Sequence, residues 1–347
     1  MFAILLFTIL LILLFLSFFE DEEIRSQKWL MPSLCLLLAI FVAFRPAGID
    51  NDYNTYLDFF KNPSGISALL TEPTFKMINA LARFCGAPLL LFVVYAFLSV
   101  PLKVYAIKRL SPYWYLSILL WFSHLFIIQE MTQIRVAVSS AIFLFSLPLL
   151  SEGKKMKFIC CLIFAILFHY SALILIPLFL LGNQQLSRFW RCLLLLLPVI
   201  MYAFPFAGMD VLKMIPIPFI QQKLQIYEEL MIYEGVGTEI NVYNVIALAR
   251  LFAYYMLLWK YDYLADKYRY MPILLKVFCY SICAYVGLSF FPPVAMRVEE
   301  LIAIVDCVLF PLLAVLIRPH WLGRILVMIY ALGTFGLYIF VYRLLKL

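Results

Sequence analysis

Four arginines interrupt the apolar stretches of this 347-residue chain: Arg45, Arg135, Arg250 and Arg297. Arg45 closes one apolar run and leads into Pro46-Ala47-Gly48-Ile49-Asp50, Arg135 and Arg297 each open a run, and Arg250 lies mid-run in Ala247-Leu248-Ala249-Arg250-Leu251. A guanidinium keeps its charge and grips phosphate oxygens bidentately. Several at one mouth would suit a pyrophosphate whose lipid tail lies between helices. Snorkelling to the headgroups is the plainer reading for an arginine at a helix end. It does not serve Arg250, which needs a partner or a wet cavity; Asp306 is the expected partner if the role is structural. His169, in Leu167-Phe168-His169-Tyr170-Ser171, falls between two short apolar runs. Its imidazole titrates near neutrality and could act as a base or a phosphate ligand. His124 reads as a core histidine, His320 as a solvated one, and Lys276 as a snorkelling lysine.

The elements that hold these residues must be membrane helices. The chain is 66% hydrophobic, 17% aromatic and 14% charged, where soluble domains carry about 45–50% apolar and about 25% charged residues. Apolar runs at 1–19, 30–44, 88–102, 113–128, 134–150, 157–169, 170–182, 190–206, 243–259, 271–290, 298–317 and 322–343 predict about twelve spans. Continuous runs such as Leu193–Ile200 lack the alternation of a membrane barrel. The fold class expected is all-α, a polytopic integral membrane protein forming one transmembrane domain over 1–347. Met1–Phe19 is expected to be a retained span, because no basic n-region or A-x-A site marks it as a signal peptide.

Lys and Arg give the orientation. Alternate loops hold fifteen basic residues on one side, in short clusters such as Lys103, Lys108 and Arg109, and ten more dispersed on the other. The positive-inside rule makes the first side cytoplasmic and puts both termini outside. This ledger needs a break at His169; one long helix there would face the basic clusters both ways. Glu20 then lies inside, and Glu72, Glu130 and Glu299 outside. The outer side carries two long loops, about 45–87 and 207–242, and in the second Pro218–Glu234 predicts an amphipathic helix. The net charge of +7 comes from scattered single residues, which argues against nucleic acid. The eight cysteines form no CxxC pair and read as small buried hydrophobes.

Several short motifs in order resemble one family. Arg45…Gly48…Asp50…Asp52-Tyr53…Tyr56…Phe60 is similar to the opening of the first outer loop of EpsG-like, Wzy-type polysaccharide polymerases. Glu72-Pro73…Phe75…Asn79 resembles the Glu-plus-aromatic helix that follows there. Gln133-Ile134-Arg135 resembles their I-R-Q helix start, with Val136 in place of the usual Gln, and Phe168-His169-Tyr170-Ser171-Ala172 resembles their F-H-x-S-A motif. Arg297 stands where a late arginine precedes a helix. The resemblance spans about residues 40–310. Asp50-Asn51-Asp52 also resembles the DxD of soluble metal-dependent glycosyltransferases, which need a nucleotide-binding sheet this chain has no room for.

The resemblance implies a GT-C-like helical bundle without metal or cofactor, in the bacterial inner membrane with its site facing the periplasm. The implied substrates, donor and acceptor, are undecaprenyl-pyrophosphate-linked oligosaccharides among membrane lipids; a chain-length regulator and a flippase are the implied protein partners. An acceptor hydroxyl would attack the anomeric carbon and release the lipid pyrophosphate. Fixed cations would meet the developing charge, with Arg135, Arg250 and Arg297, and Arg45 beside them, as the expected clamp. His169, Asp50 or Glu72 would be the base, with His169 favoured by position. Tyr53, Tyr56 and Tyr170 would stack on sugars or anchor at the interface. An O-antigen ligase and a flippase of the same lipid-linked sugar are the alternative readings.

Overall fold

A computed structural model describes residues 1–50, 52–63, 71–209, 214 and 240–347. Among them the secondary structure is helical throughout, and the one β-type pairing is an isolated bridge between Asp50 and Leu345. Four helices are long and apolar enough to cross a bilayer: Leu89–Leu110, Ile134–Ser151, Arg188–Phe206 and the His320–Val341 stretch. The 22 residues of Leu89–Leu110 extend about 33 Å at 1.5 Å per residue, enough for the hydrocarbon core. Shorter apolar helices cover Phe2–Phe18, Leu30–Ala43, Trp114–Ser123, Tyr170–Leu180, Val245–Trp259 and Met271–Gly287. The chain is a helical membrane protein, with four long apolar helices and six shorter ones among the described residues. The predicted helix at Pro218–Glu234 lies outside the described residues.

The described helices cluster into two compact units, Met1–Gly182 with Ile304–Leu347, and Asn183–Ala303. In the first, Leu89–Leu110 packs against Leu30–Ala43 and Ile134–Ser151, and Ile134–Ser151 against Lys155–Phe168. In the second, Met271–Gly287 packs against Arg188–Phe206, Val245–Trp259 and Pro292–Ile302.

The expected break at His169 is present. The α-helix Lys155–Phe168 ends, His169 takes an extended conformation (φ −157°, ψ 123°), and Tyr170–Leu180 continues as a 3-10 helix packed back on it. Irregular backbone at such depth persists only where protein or a cavity covers it.

Contacts within each unit join residues that the charge ledger puts on one face. The Arg25 guanidinium donates to the Pro112 carbonyl, Arg324 to Phe18, and Arg109 pairs with Glu152, all on the face carrying the dense basic clusters. On the opposite face the C-terminal tail meets the first long loop: Lys346 N–H donates to Ile49 O at 2.8 Å beside the Asp50–Leu345 bridge. The turn before it, with Ile49 N–H donating to Pro46 O, takes Gly48 to φ +72°, a conformation glycine adopts without a Cβ clash.

Lys103 is a correction to the ledger. The sequence reading placed it in a basic loop with Lys108 and Arg109. It is fully buried inside Leu89–Leu110, and its ammonium lies 2.5 Å from Glu130. Pro101 did not end the helix, so Lys103 stays within it. The remaining basic residues keep the same asymmetry.

Candidate active site

Three helix ends of the first unit converge on Glu72. Pro73 opens the Pro73–Phe84 helix, where its fixed φ and missing N–H cost nothing, and Glu72 precedes it in extended conformation. Thr74 Oγ1 donates to Leu167 O at 2.6 Å, tying this helix to the end of Lys155–Phe168. Ser139 Oγ donates to Ala165 O at 3.0 Å, tying that same end to Ile134–Ser151, whose second residue is Arg135. Asn79 Nδ2 donates to Phe59 O at 2.9 Å, fixing the Tyr53–Lys61 helix beneath.

Both oxygens of the buried Glu72 carboxylate are engaged. Oε2 meets Arg135 Nη1 at 2.5 Å, Oε1 meets His169 Nδ1 at 2.7 Å, and the Tyr170 N–H adds a longer contact at 3.4 Å. Burial pushes the Glu72 carboxyl up, but the His169 hydrogen bond and the Arg135 charge outweigh it and hold it down at about 2. Glu72 is therefore an anion at any physiological pH. An ionised carboxylate only accepts hydrogen bonds, so Nδ1 carries the proton toward it. In the neutral imidazole that leaves a lone pair on Nε2, which no described residue occupies.

The floor under this trio is aromatic. Tyr53, Tyr56, Phe75, Phe92 and Tyr95 pack with Ile134 and Val138, and the Arg135 guanidinium sits 5.3 Å from the centre of the Phe75 ring. Such surroundings exclude water and strengthen each charge interaction. Tyr56 lies within electrostatic reach of both Arg135 and Arg45.

The EpsG family model matches residues 28–346. This chain belongs to the EpsG family. Its members are polysaccharide polymerase-type membrane proteins. No curated protein and no solved structure matches the chain.

The remaining expected site residues of this EpsG-family chain fall into three places. Arg45 and Asp50 form a closed ion pair at 2.9 Å, both side chains fully buried. Arg45 also donates to the Glu130 carbonyl at 3.2 Å and lies 4.4 Å from the Phe92 ring centre. Burial raises the Asp50 carboxyl above the usual range despite Arg45. Tyr53 stacks on Phe92 with centroids 4.6 Å apart, and Tyr56 is buried, whereas Tyr170 is 46% exposed and keeps an open ring. Arg250 and Arg297 belong to the second unit. Arg250 is buried and bonds Glu299 Oε1 at 2.5 Å and Ser281 Oγ at 2.9 Å, so a carboxylate stands beside it within its own unit. Arg297 is exposed on the Pro292–Ile302 helix. His124 stacks on Tyr338 at 4.5 Å, as a core histidine does. Lys276 is buried over the Trp190 ring, which corrects the snorkelling expectation.

Sequence reasoning missed the Lys103, Gln129 and Glu130 group. The signal was available: Lys103 has apolar neighbours on both sides in Val100-Pro101-Leu102-Lys103-Val104. Glu299 was also missed, hidden in the Glu299-Glu300 doublet near the end of the Pro292–Ile302 helix.

Proposed function

We propose that this EpsG-family protein is a metal-independent membrane glycosyltransferase that polymerises undecaprenyl-pyrophosphate-linked oligosaccharide repeats. It works at the periplasmic face of the bacterial inner membrane, with both termini on that side. The observation that carries this reading is the Arg135–Glu72–His169 constellation, built on the outer loop and on the break that the family motifs mark.

The chemistry divides among the three residues. His169 Nε2 takes the proton from an acceptor sugar hydroxyl as its oxygen bonds the anomeric carbon of the donor. Glu72, already ionised, keeps the other ring nitrogen protonated and stabilises the imidazolium that forms. It does not itself accept the proton, being far too weak a base at its depressed pKa. The bond from the anomeric carbon to the pyrophosphate oxygen breaks, and the lipid pyrophosphate leaves with its charge. Arg135 keeps further N–H donors beyond those engaged by Glu72 and Tyr56 and offers them to that charge. Arg45 and Arg250 are engaged with carboxylates and hold the scaffold. Tyr170 presents an aromatic face to a sugar ring. Holding two lipid-linked substrates in line supplies much of the remaining rate.

The decisive experiment incubates purified protein in detergent with its lipid-pyrophosphate repeat, a chelator and no nucleotide sugar, and resolves the products on a gel. A ladder of repeats supports the polymerase. A folded, substrate-binding protein that makes no ladder would favour a flippase, or a ligase lacking its acceptor.

A further inference from the structure

A fully buried lysine within a membrane helix calls for a reason, because an ionisable group at that depth is costly. Lys103 Nζ lies 2.5 Å from Glu130 Oε1 and 2.5 Å from Gln129 Oε1, with the Trp121 ring 5.5 Å away. Gln129 Oε1 also accepts from Ser140 Oγ at 2.9 Å. Ser140 sits on the Ile134–Ser151 helix, whose first turn carries Arg135. The Glu130 backbone carbonyl accepts from Arg45.

Gln129 and Glu130 lie on Phe126–Thr132, a π-helical stretch that runs through Gln133 straight into the Arg135 helix. A π turn is a locally unfavourable winding that needs fixing from outside, and such turns recur at functional sites. Lys103 supplies that fixing. Its one ammonium meets two consecutive side chains of the stretch, one of which bonds the Arg135 helix and the other of which carries the carbonyl that Arg45 grips.

We propose that Lys103 is a positioning residue: through Gln129 and Glu130 it holds the Phe126–Thr132 stretch so that Arg135 meets Glu72 and the Glu72–His169 pair is set for proton transfer. This rests on the glycosyltransferase reading for its kinetic consequence. The geometric claim stands apart from that reading and has its own readout.

The test compares wild type with Lys103→Met/Glu130→Gln, which removes both charges and leaves no unpaired ion in the core. Ser140→Ala serves as a second variant that keeps every charge. Two measurements are made on each: ladder formation with the lipid-pyrophosphate repeat, and the ring nitrogen resonances of ¹⁵N-histidine-labelled protein. Only His124, His169 and His320 contribute signals, and His320 is the internal control. The double variant is expected to fold, to lose kcat by about tenfold to 100-fold, the penalty of a small misplacement, with KM little changed, and to shift the His169 resonances away from the protonated-Nδ1 form. Ser140→Ala is expected to move both in the same direction by less.

Wild-type turnover and unchanged His169 resonances in the double variant would reduce Lys103 to a counter-charge for Glu130 and overturn the proposal. If the double variant does not fold, wild-type behaviour of Ser140→Ala on both readouts overturns it equally. If wild type itself makes no ladder, the glycosyltransferase reading fails, while the His169 resonances still decide whether Lys103 positions the pair.

Discussion

Glu72 Oε1 and His169 Nδ1 meet at 2.7 Å although 97 residues separate them in the chain. The contact joins the residue before one helix to the residue after another. Thr74 Oγ1 donates to Leu167 O across the same two helix ends and holds them together.

This contact makes Glu72→Gln the most informative substitution. The amide keeps the shape but can turn its NH₂ toward Nδ1, which favours the wrong tautomer. Polymer formation is expected to fall by about 100-fold or more, the scale of general base catalysis, with His169→Ala falling at least as far. Initial rates of ladder formation check both. Near-wild-type turnover of His169→Ala would remove it as the base.

Arg135 is expected to tolerate no replacement. Arg135→Lys keeps one charge but loses the fork that bonds Glu72 and, in the proposed reaction, would hold a phosphate at the same time. Arg135→Ala should abolish polymer without loss of expression, and Arg135→Lys should stay closer to Ala than to wild type. Activity of Arg135→Lys equal to wild type would mean that a point charge is sufficient.

Acid should expose the Glu72 interactions. Its carboxyl is lowered from an ordinary 4.5 to about 2, so its stabilisation is full above pH 4.5 and is lost as pH falls toward 2. Thermal unfolding of wild type should therefore fall more steeply than that of Glu72→Gln below about pH 5. Parallel curves would show that Glu72 titrates normally.

Glu20 should behave in the opposite sense. Burial raises its carboxyl to about 7, although the backbone N–H groups of Leu116 and Tyr115 pull the other way. A raised carboxyl destabilises the fold as pH rises from 4.5 through 7. Glu20→Gln keeps an oxygen for those N–H groups and removes the charge, so its melting temperature should exceed that of wild type at pH 8 and match it at pH 5. A lower melting temperature at pH 8 would show that the ionised form is the better cap.

In the second unit, Arg250→Ala leaves the partly buried Glu299 without this counter-charge and should destabilise the fold by up to about 3 kcal/mol, seen as loss of folded protein in detergent. Arg250→Met/Glu299→Met should recover much of it. A double variant that folds yet makes no polymer would show that Arg250 does more than balance Glu299.

Much of this was legible in one dimension. Continuous apolar runs can be satisfied in a bilayer only by helices, since every backbone group must bond within its own segment. The break at His169 followed from charge bookkeeping, because a missing turn would have reversed every loop beyond it. Arg45, Arg135 and His169 were found at run boundaries, where their types are conspicuous, and Glu72 through the Glu-plus-aromatic motif inside the first long loop.

What the chain order by itself determined was therefore the class, the placement of the polar punctuation and the family. Tertiary structure alone decided which charges answer which. Arg45 and Arg135 look alike as helix-end arginines, yet Arg45 is closed on a buried Asp50 and Arg135 stands part-exposed beside the Glu72–His169 pair. Arg250 took Glu299, and Lys103 moved from loop to core with Glu130. Pairing depends on which helix ends packing brings within about 4 Å, where one ion decides the state of another, and a run of apolar residues carries no record of its neighbours in space.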